Sequence, residues 1–155
     1  MKEKNTQDEA EDRYDQITAR TKELAEIARN GEHQKIDKEF TFHTTDGPVT
    51  LKECFGDKGD LIVIHNMGTG CSWCTMWADG FNGVSQHLED RSALILLSQD
   101  EPETVEKFAE NRGWRFSVAS ARDSGFNEFI EFGESNEVYP GFSTFYKNAD
   151  GDITR

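Results

Sequence analysis

One segment indicates the fold more strongly than any other: Leu61-Ile-Val-Ile-His-Asn-Met-Gly-Thr-Gly-Cys-Ser-Trp-Cys74. It begins with apolar residues that do not alternate with polar ones, as expected for a strand covered on both faces. Gly68 and Gly70 then indicate a turn, and the residues after Cys74 have the pattern of a helix. A Cys-x-x-Cys pair at a strand-to-helix junction is the arrangement that a thiol–disulfide redox site requires.

The same segment opens a β-α-β unit. A helix predicted over residues 72–88 leads to a second apolar run, Ala93-Leu-Ile-Leu-Leu97, and strands connected in this way pair in parallel. Further elements are predicted on both sides of this unit: a hairpin over 40–51, helical turns at 51–55 and 126–130, a helix over 102–113, a strand at 116–119, a strand at 142–146, a turn at 148–151 and a return strand that begins at 153. The pattern predicts an α/β fold with a central mixed sheet flanked by helices.

The first 34 residues are predicted to form a separate charged element. Side chains recur every three or four positions in one narrow apolar stripe, which indicates a helix over residues 7–29. The stripe consists of Tyr14, Ile17, Thr21, Leu24 and Ile27. We therefore divide the chain into an N-terminal charged amphipathic helix, 1–34, and a main domain, 35–155. The helix is expected to lie on the domain, and binding of a partner by the helix is the alternative.

Charge and composition argue against several classes of function. The 155 residues carry a net charge of −13, whereas nucleic acid and anionic membranes are bound by basic surfaces. The longest stretch without Asp, Glu, Lys or Arg, residues 61–78, contains His65 and Asn66, so it is not a membrane span. Three cysteines without an apolar leader predict a reducing cytoplasm rather than a secreted, disulfide-stapled domain.

Several motifs match one family. They are Ile64-His-Asn-Met-Gly68, Gly70-Cys-Ser-Trp-Cys-Thr-Met-Trp-Ala-Asp-Gly-Phe-Asn-Gly83 with His87-Leu88, Phe108-Ala-Glu-Asn-Arg-Gly-Trp-Arg-Phe116 and Pro140-Gly-Phe-Ser-Thr-Phe145. On these residues, the part of the chain from Phe40 to Arg155 resembles an uncharacterised bacterial thioredoxin-like family of predicted dithiol–disulfide oxidoreductases. The resemblance implies a thioredoxin-like fold. It also implies a completed last strand and a further segment, so the C-terminus of this chain is expected to be truncated.

The resemblance implies roles for three more residues. Thioredoxin-like proteins place a cis-proline opposite the Cys-x-x-Cys, where the backbone beside it pairs with a bound peptide. Pro140 and Tyr139 are therefore candidates for substrate binding, and an ordinary trans proline that opens an edge strand is the alternative. Thioredoxins also use a buried acid as proton acceptor for the second cysteine. Asp79 is the candidate here, and a solvated acid is the alternative.

The two cysteines are given separate roles. Residues i and i+3 share a helix face, so Cys71 and Cys74 can form a disulfide across the first turn. Cys71 lies at the helix start, where free N–H groups and the helix dipole stabilise a thiolate. We expect Cys71 to be the nucleophile and Cys74 the resolving thiol. The uncharged residues 61–78 suit an apolar surface on which a protein substrate docks.

Other side chains are candidates for tuning this pair. His65 either tunes Cys71 or is a hydrogen-bonded structural residue. Trp73, between the thiols, is expected to be partly exposed, whereas Trp77 and Trp114 are expected in the core. Cys54 is expected to be a small buried hydrophobe, with a third redox partner as the alternative. Two glycines in the predicted helix, at positions 80 and 83, indicate a break or a close backbone contact.

Other interpretations of the cysteine pair remain open. Structural zinc needs four ligands, and only His87 follows at a useful distance. A peroxiredoxin-type peroxidase needs Pro-x-x-x-Thr-x-x-Cys, but Ile64 and Gly68 occupy those positions before Cys71. An inert reduced pair and a non-enzymatic redox-sensing or partner-binding module are further alternatives. The prediction is a thiol–disulfide oxidoreductase that acts on a protein or small-molecule disulfide without metal or cofactor.

Overall fold

Apolar strands lie at the centre of the fold in the computed structural model, which describes residues 6–134 and 137–155. The helices and strands, numbered in chain order, are α1 (Thr6–Asn30), β1 (Lys35–Ile36), β2 (Thr41–Thr44), β3 (Gly47–Thr50), β4 (Asp60–Asn66), α2 (Ser72–Glu89), β5 (Ser92–Ser98), α3 (Pro102–Arg112), β6 (Ser117–Ser120), α4 (Phe126–Phe129), β7 (Gly133–Glu134), β8 (Glu137–Val138), β9 (Gly141–Lys147) and β10 (Ile153–Thr154). A 3-10 turn, Glu53–Phe55, is followed by Gly56. The chain divides into two units, Met1–His33 and Gln34–Arg155.

The main sheet of the described residues has the strand order β1-β10-β9-β4-β5-β6-β2-β3. β4 pairs in parallel with β5, and β5 pairs in parallel with β6. β9 runs antiparallel along the other edge of β4 and places Gly141 opposite His65. The hairpin of β2 and β3 joins the sheet where β2 pairs with β6. The predicted mixed sheet is therefore present, and β4 is hydrogen-bonded along both edges.

The predicted elements occur at the expected places, with ends that differ by a few residues. The helices predicted at 7–29, 72–88 and 102–113 are α1, α2 and α3. The sequence pattern did not predict β1, β7 or β8, because a strand of two residues carries no periodicity. β1 is important because it pairs with β10, so the return strand that begins at Ile153 has a neighbour on each side.

Both faces of the central sheet are covered, because successive side chains of a strand point in opposite directions. Leu61 and Val63 of β4 belong to one core, and Ile64 belongs to the other. The first core contains a group of buried phenylalanines: Phe40, Phe42, Phe55, Phe126 and Phe145. The second contains residues of α2, α3 and the strands beneath them: Ala78, Leu94, Leu96, Val105 and Ala109. Burial on both faces explains why the run from residue 61 to 64 does not alternate.

α1 is regular over its described length. The Thr21 hydroxyl donates to the carbonyl oxygen of Ile17 at 2.9 Å, and Arg20 pairs with Glu23 at 2.9 Å. The large side chains of its apolar stripe are exposed: Tyr14, Ile17, Leu24 and Ile27. Within the described residues, the helices are all too short or too polar to cross a membrane.

Two expectations about α2 are wrong. The helix runs unbroken through Gly80 and Gly83, and apart from the adjoining residues and the helix's own backbone no described heavy atom lies within 4 Å of a Cβ built at either position. Neither a break nor a close contact therefore accounts for these glycines. Trp77 is 40% exposed on the same helix rather than in the core, whereas Trp114 is buried as expected.

We expect Phe126→Ala to lower the free energy of unfolding by about 3–5 kcal/mol, because the substitution leaves a cavity in a packed core. The Phe126 ring is fully buried and meets the Phe40 and Phe42 rings edge to face, with centroids 5.1 and 5.2 Å away. Phe142→Ala is the matched control, since Phe142 is 46% exposed, and it should cost about 1 kcal/mol or less. Urea unfolding at neutral pH measures both values, and equal losses would contradict this assignment of the core.

Candidate active site

The cysteine pair lies where β4 ends and α2 begins. Cys71 is the residue that caps α2, with the extended conformation of a helix cap (φ −87°, ψ 107°), and its Sγ accepts the Cys74 N–H at 3.1 Å. A disulfide joins Cys71 to Cys74, and their Cα atoms are 5.3 Å apart, within the range that a disulfide spans. The predicted strand–turn–helix junction therefore brings both sulfur atoms to the N-terminus of α2.

The two sulfur atoms have different surroundings. Cys71 is partly exposed, whereas Cys74 is fully buried. Cys74 Sγ accepts the Met67 N–H at 3.3 Å, so the inner sulfur is held by the loop that precedes the helix. The Cys71 carbonyl oxygen accepts the N–H and the hydroxyl of Thr75, at 3.1 and 3.0 Å. A reagent or substrate therefore reaches Cys71 first.

A network of side chains holds the loop over residues 67–70. Asn66 Oδ1 accepts the Gly68 N–H at 2.7 Å and the Ser98 hydroxyl at 3.2 Å. Asp100 Oδ2 accepts the Thr69 N–H at 2.6 Å. Sequence reasoning did not select Asn66, Ser98 or Asp100. A usable signal was present, because β4 and β5 are parallel neighbours and polar residues at their carboxyl ends meet at one edge of the sheet.

His65 lies one residue before the end of β4 and is fully buried. Its Nδ1–H donates to Asn127 Oδ1 at 3.2 Å, and its Nε2 accepts the Ser143 hydroxyl at 3.0 Å. The Phe132 ring stacks on the imidazole with centroids 3.9 Å apart. Burial lowers the pKa of His65 from 6.5 to about 4, so the ring is neutral at physiological pH. The geometry fits the structural alternative, since both ring nitrogens join β4 to α4 and β9.

Asp79 is engaged on the outer side of α2. Its carboxylate accepts the Arg112 Nε–H at 2.9 Å and the Trp114 indole N–H at 2.8 Å. The hydrogen bond from Arg112 is the main cause that holds the pKa of Asp79 below its usual value. These bonds tie α2 to Arg112 at the end of α3 and to Trp114, two residues further on. They do not support a role for Asp79 as proton acceptor for Cys74.

Pro140 and Tyr139 lie at the end of the sheet from which the dithiol loop leaves, because Gly141 pairs with His65. The described residues contain no cis peptide bond, so the bond between Tyr139 and Pro140 is trans. The expectation of a cis-proline is therefore wrong. The bond is trans, as in the alternative, but the strand that follows, β9, lies between β10 and β4 rather than at an edge. Tyr139 is 45% exposed, and Pro140 is partly exposed.

Exposed apolar side chains lie beside the dithiol along α2 and β9. Trp73, between the cysteines, is 67% exposed, as the sequence indicates. Trp77 lies one turn further along α2, and its ring centroid is 5.8 Å from that of Phe142. We call Trp73, Trp77 and Phe142 the apolar rim. Phe81 extends it, with its ring centroid 5.4 Å from that of Phe142.

Cys54 is the third cysteine and lies in the 3-10 turn before β4. Burial, with a smaller contribution from the charge of Glu53, raises the pKa of its thiol to about 12. Because the thiolate is the reactive form of cysteine, such a thiol is inert at neutral pH. Its position fits a partly buried small residue rather than a third redox partner.

Comparisons with known proteins place this site on a familiar fold. A peroxiredoxin-like protein from Aquifex aeolicus is similar over 79% of this chain and 71% of its own, with a TM-score of 0.58 and 18% identity. Peroxidoxin BcpB from Mycobacterium tuberculosis is similar over 79% of this chain and 80% of its own, with a TM-score of 0.58 and 18% identity. A proposed thiol:disulfide interchange protein DsbE from Chlorobium tepidum is similar over 81% of this chain and 83% of its own, with a TM-score of 0.58 and 14% identity. The predicted thioredoxin-like α/β fold is confirmed.

Sequence comparisons add one family. Residues 6–155 match the model of a family described as a bacterial protein of unknown function (DUF899). No match is found among curated proteins. The fold and the Cys71–Cys74 pair together support a redox function of the thiols.

We expect the stability of the wild type to fall as pH decreases from 6.5 to 4, in part through His65. The unfolded chain protonates this ring near pH 6.5, whereas the folded protein keeps it neutral to about pH 4. The unfolded state thus binds more protons in this window, which removes roughly 3 kcal/mol of unfolding free energy. His65→Gln should weaken this pH dependence, and His43→Gln, at an exposed position of β2, should retain it. Urea unfolding at several pH values measures this dependence. Equal slopes of unfolding free energy against pH for wild type and His65→Gln would refute the prediction.

Proposed function

The chain belongs to DUF899, a bacterial family of unknown function, and we propose that it is a thiol–disulfide oxidoreductase. Cys71 is the attacking thiol and Cys74 the resolving thiol. The observation that carries the proposal is the difference between the two sulfur atoms. Cys71 is accessible at the N-terminus of α2, whereas Cys74 is buried behind it and within bonding distance.

The reaction begins with the reduced dithiol. The Cys71 thiolate attacks one sulfur of a substrate disulfide, so a Cys71–substrate disulfide forms and the first substrate thiolate leaves. The Cys74 thiol loses its proton and attacks Cys71 Sγ, which releases the second substrate thiolate and forms the Cys71–Cys74 disulfide. Two electrons pass from the protein to the substrate, and both substrate thiolates take up protons. An external dithiol reductant then restores the pair by the reverse exchange.

The helix N-terminus supports the attack by Cys71 and the regeneration of its thiolate. Cys71 Sγ accepts the Cys74 N–H, and the dipole of α2 favours negative charge at the same position. Cysteines in such positions have pKa values of about 3.5–7.5 instead of about 8.5. A stabilised Cys71 thiolate is also a better leaving group during regeneration, when the second thiol of the external reductant attacks its own sulfur in the Cys71–reductant disulfide. The main benefit is thus rapid release of reduced Cys71 in that step, because nucleophilicity falls together with basicity.

The substrate class follows from the surface around Cys71. The apolar rim suits a disulfide within a polypeptide, and small-molecule disulfides are the alternative. The net charge of −13 disfavours nucleic acid and anionic membranes as partners. We place the reaction in the cytoplasm, since a reductive dithiol needs a reducing thiol pool to regenerate it. No metal or cofactor takes part in the exchange.

A redox-sensing or partner-binding module is the second candidate. The apolar stripe of α1 favours it, because Tyr14, Ile17, Leu24 and Ile27 recur along one side of this charged helix. Oxidation of the dithiol would then change the affinity for a partner without turnover. A peroxidase is less favoured, since the motif positions before Cys71 hold Ile64 and Gly68 and lack both the proline and the threonine.

We expect the wild type to catalyse reduction of insulin by dithiothreitol and Cys71→Ser to lose this activity, because the attacking sulfur is absent. Cys54→Ser is the matched control and should retain activity, since the Cys54 thiol is partly buried and stays protonated. The rate of insulin precipitation measures all three proteins. Absence of wild-type turnover, combined with an oxidation-dependent change in partner affinity, would favour the sensor over the oxidoreductase.

A further inference from the structure

Asp100 lies outside the Cys-x-x-Cys motif but contacts the loop that leads to it. Its Oδ2 accepts the Thr69 N–H at 2.6 Å, and its own N–H donates to Ser98 Oγ at 3.1 Å. On the premise of thiol–disulfide exchange at Cys71, we propose that Asp100 is a positioning residue for the dithiol. It holds residues 67–70 so that Cys71 stays at the N-terminus of α2 in both redox states.

The contact with Gly68 shows how closely this carboxylate packs. A Cβ built at Gly68 would lie 3.0 Å from Asp100 Oδ1, and the φ of Gly68 is +130°, which favours glycine. The Gly68 carbonyl oxygen accepts the Cys71 N–H at 3.1 Å. The carboxylate therefore accepts the Thr69 N–H and leaves little space for a Cβ at Gly68, the residue whose carbonyl oxygen is hydrogen-bonded to Cys71.

This support is needed most when the dithiol is reduced. The disulfide then no longer ties Cys71 to Cys74, and the position of Cys71 depends on the loop and on the first turn of α2. Removal of the Asp100 acceptor leaves the partly buried Thr69 N–H without this bond, which favours other loop conformations. In those conformations Cys71 Sγ leaves the Cys74 N–H and the end of the helix dipole.

The hydrogen-bond acceptor and the negative charge of Asp100 have opposite effects on the stability of the Cys71 thiolate. The acceptor places Cys71 where a thiolate is stabilised, whereas a negative charge nearby disfavours a thiolate. Substitutions at this position separate the two effects. Asp100→Asn keeps an acceptor without the charge, Asp100→Ala removes both, and Asp100→Glu keeps the charge but carries the acceptor one methylene further from the backbone.

The experiment measures alkylation of Cys71 in the reduced full-length protein. The variants are made in a Cys54→Ser background, treated with iodoacetamide from about pH 5 to pH 9, and analysed by the mass of the Cys71 peptide. Thermal unfolding confirms that each variant is folded. Asp57→Ala, at an exposed position, is the matched control for loss of one negative charge.

We expect Asp100→Asn to react at neutral pH at least as fast as wild type, and Asp100→Ala and Asp100→Glu to react roughly three- to tenfold more slowly than Asp100→Asn. The apparent pKa from the pH profile should be higher in the two slow variants. Asp57→Ala should match wild type. A loss of stability alone would not move this pKa.

Equal profiles for Asp100→Asn and Asp100→Ala, which share the loss of charge, would overturn the proposal. If Asp100→Ala does not fold, the comparison of Asp100→Glu with wild type decides, because both carry the charge, and equal profiles again overturn it. The readout does not require enzymatic turnover. A wild type that fails to reduce insulin, together with the expected alkylation differences, would refute the oxidoreductase while supporting the positioning role of Asp100.

Discussion

The position of the dithiol depends on one buried strand end. β4 is hydrogen-bonded along both edges and covered on both faces, so Asn66 at its end has little freedom. The loop to α2 starts from this fixed point and is held by Asn66 and by Asp100, which follows the parallel strand β5. Burial of the central strand pair is therefore the constraint that brings the two sulfur atoms to the helix N-terminus.

The site combines a neutral, partly apolar surface with polar groups beneath it. The net charge of −13 is carried elsewhere, since residues 61–78 contain no Asp, Glu, Lys or Arg. Exposed charges beyond about 10 Å are screened by salt, so the distant acids have little effect on a thiolate at Cys71. Asp100 differs from these distant acids because it contacts the loop before Cys71, where its carboxylate accepts the Thr69 N–H. The absence of charged side chains from residues 61–78 is consistent with the proposed thiol–disulfide exchange at Cys71.

Sequence patterns were sufficient for the fold because its main elements have strong local signals. The apolar runs at 61–64 and 93–97, and the Pro102 and Gly113 boundaries of α3, each depend on nearby residues. The site was predicted less completely. The bonds of His65 span 62 and 78 residues and that of Asp100 spans 31, so local patterns do not reveal them, and only the parallel pairing of β4 with β5 points to Asp100. Pro140 was expected to be cis by resemblance, and exposure of Trp77 depends on what packs over α2.

The most direct test of the proposed oxidoreductase is capture of the mixed disulfide. Cys74→Ser leaves Cys71 able to attack but removes the thiol that releases the substrate. The reduced variant is mixed with an oxidised peptide, quenched with acid and digested, and the masses of its cysteine peptides are measured. We expect the peptide on Cys71, with little on Cys54 and no comparable accumulation in wild type. Absence of an adduct at Cys71, or an equal adduct at Cys54, would contradict the assignment of Cys71 as the attacking thiol.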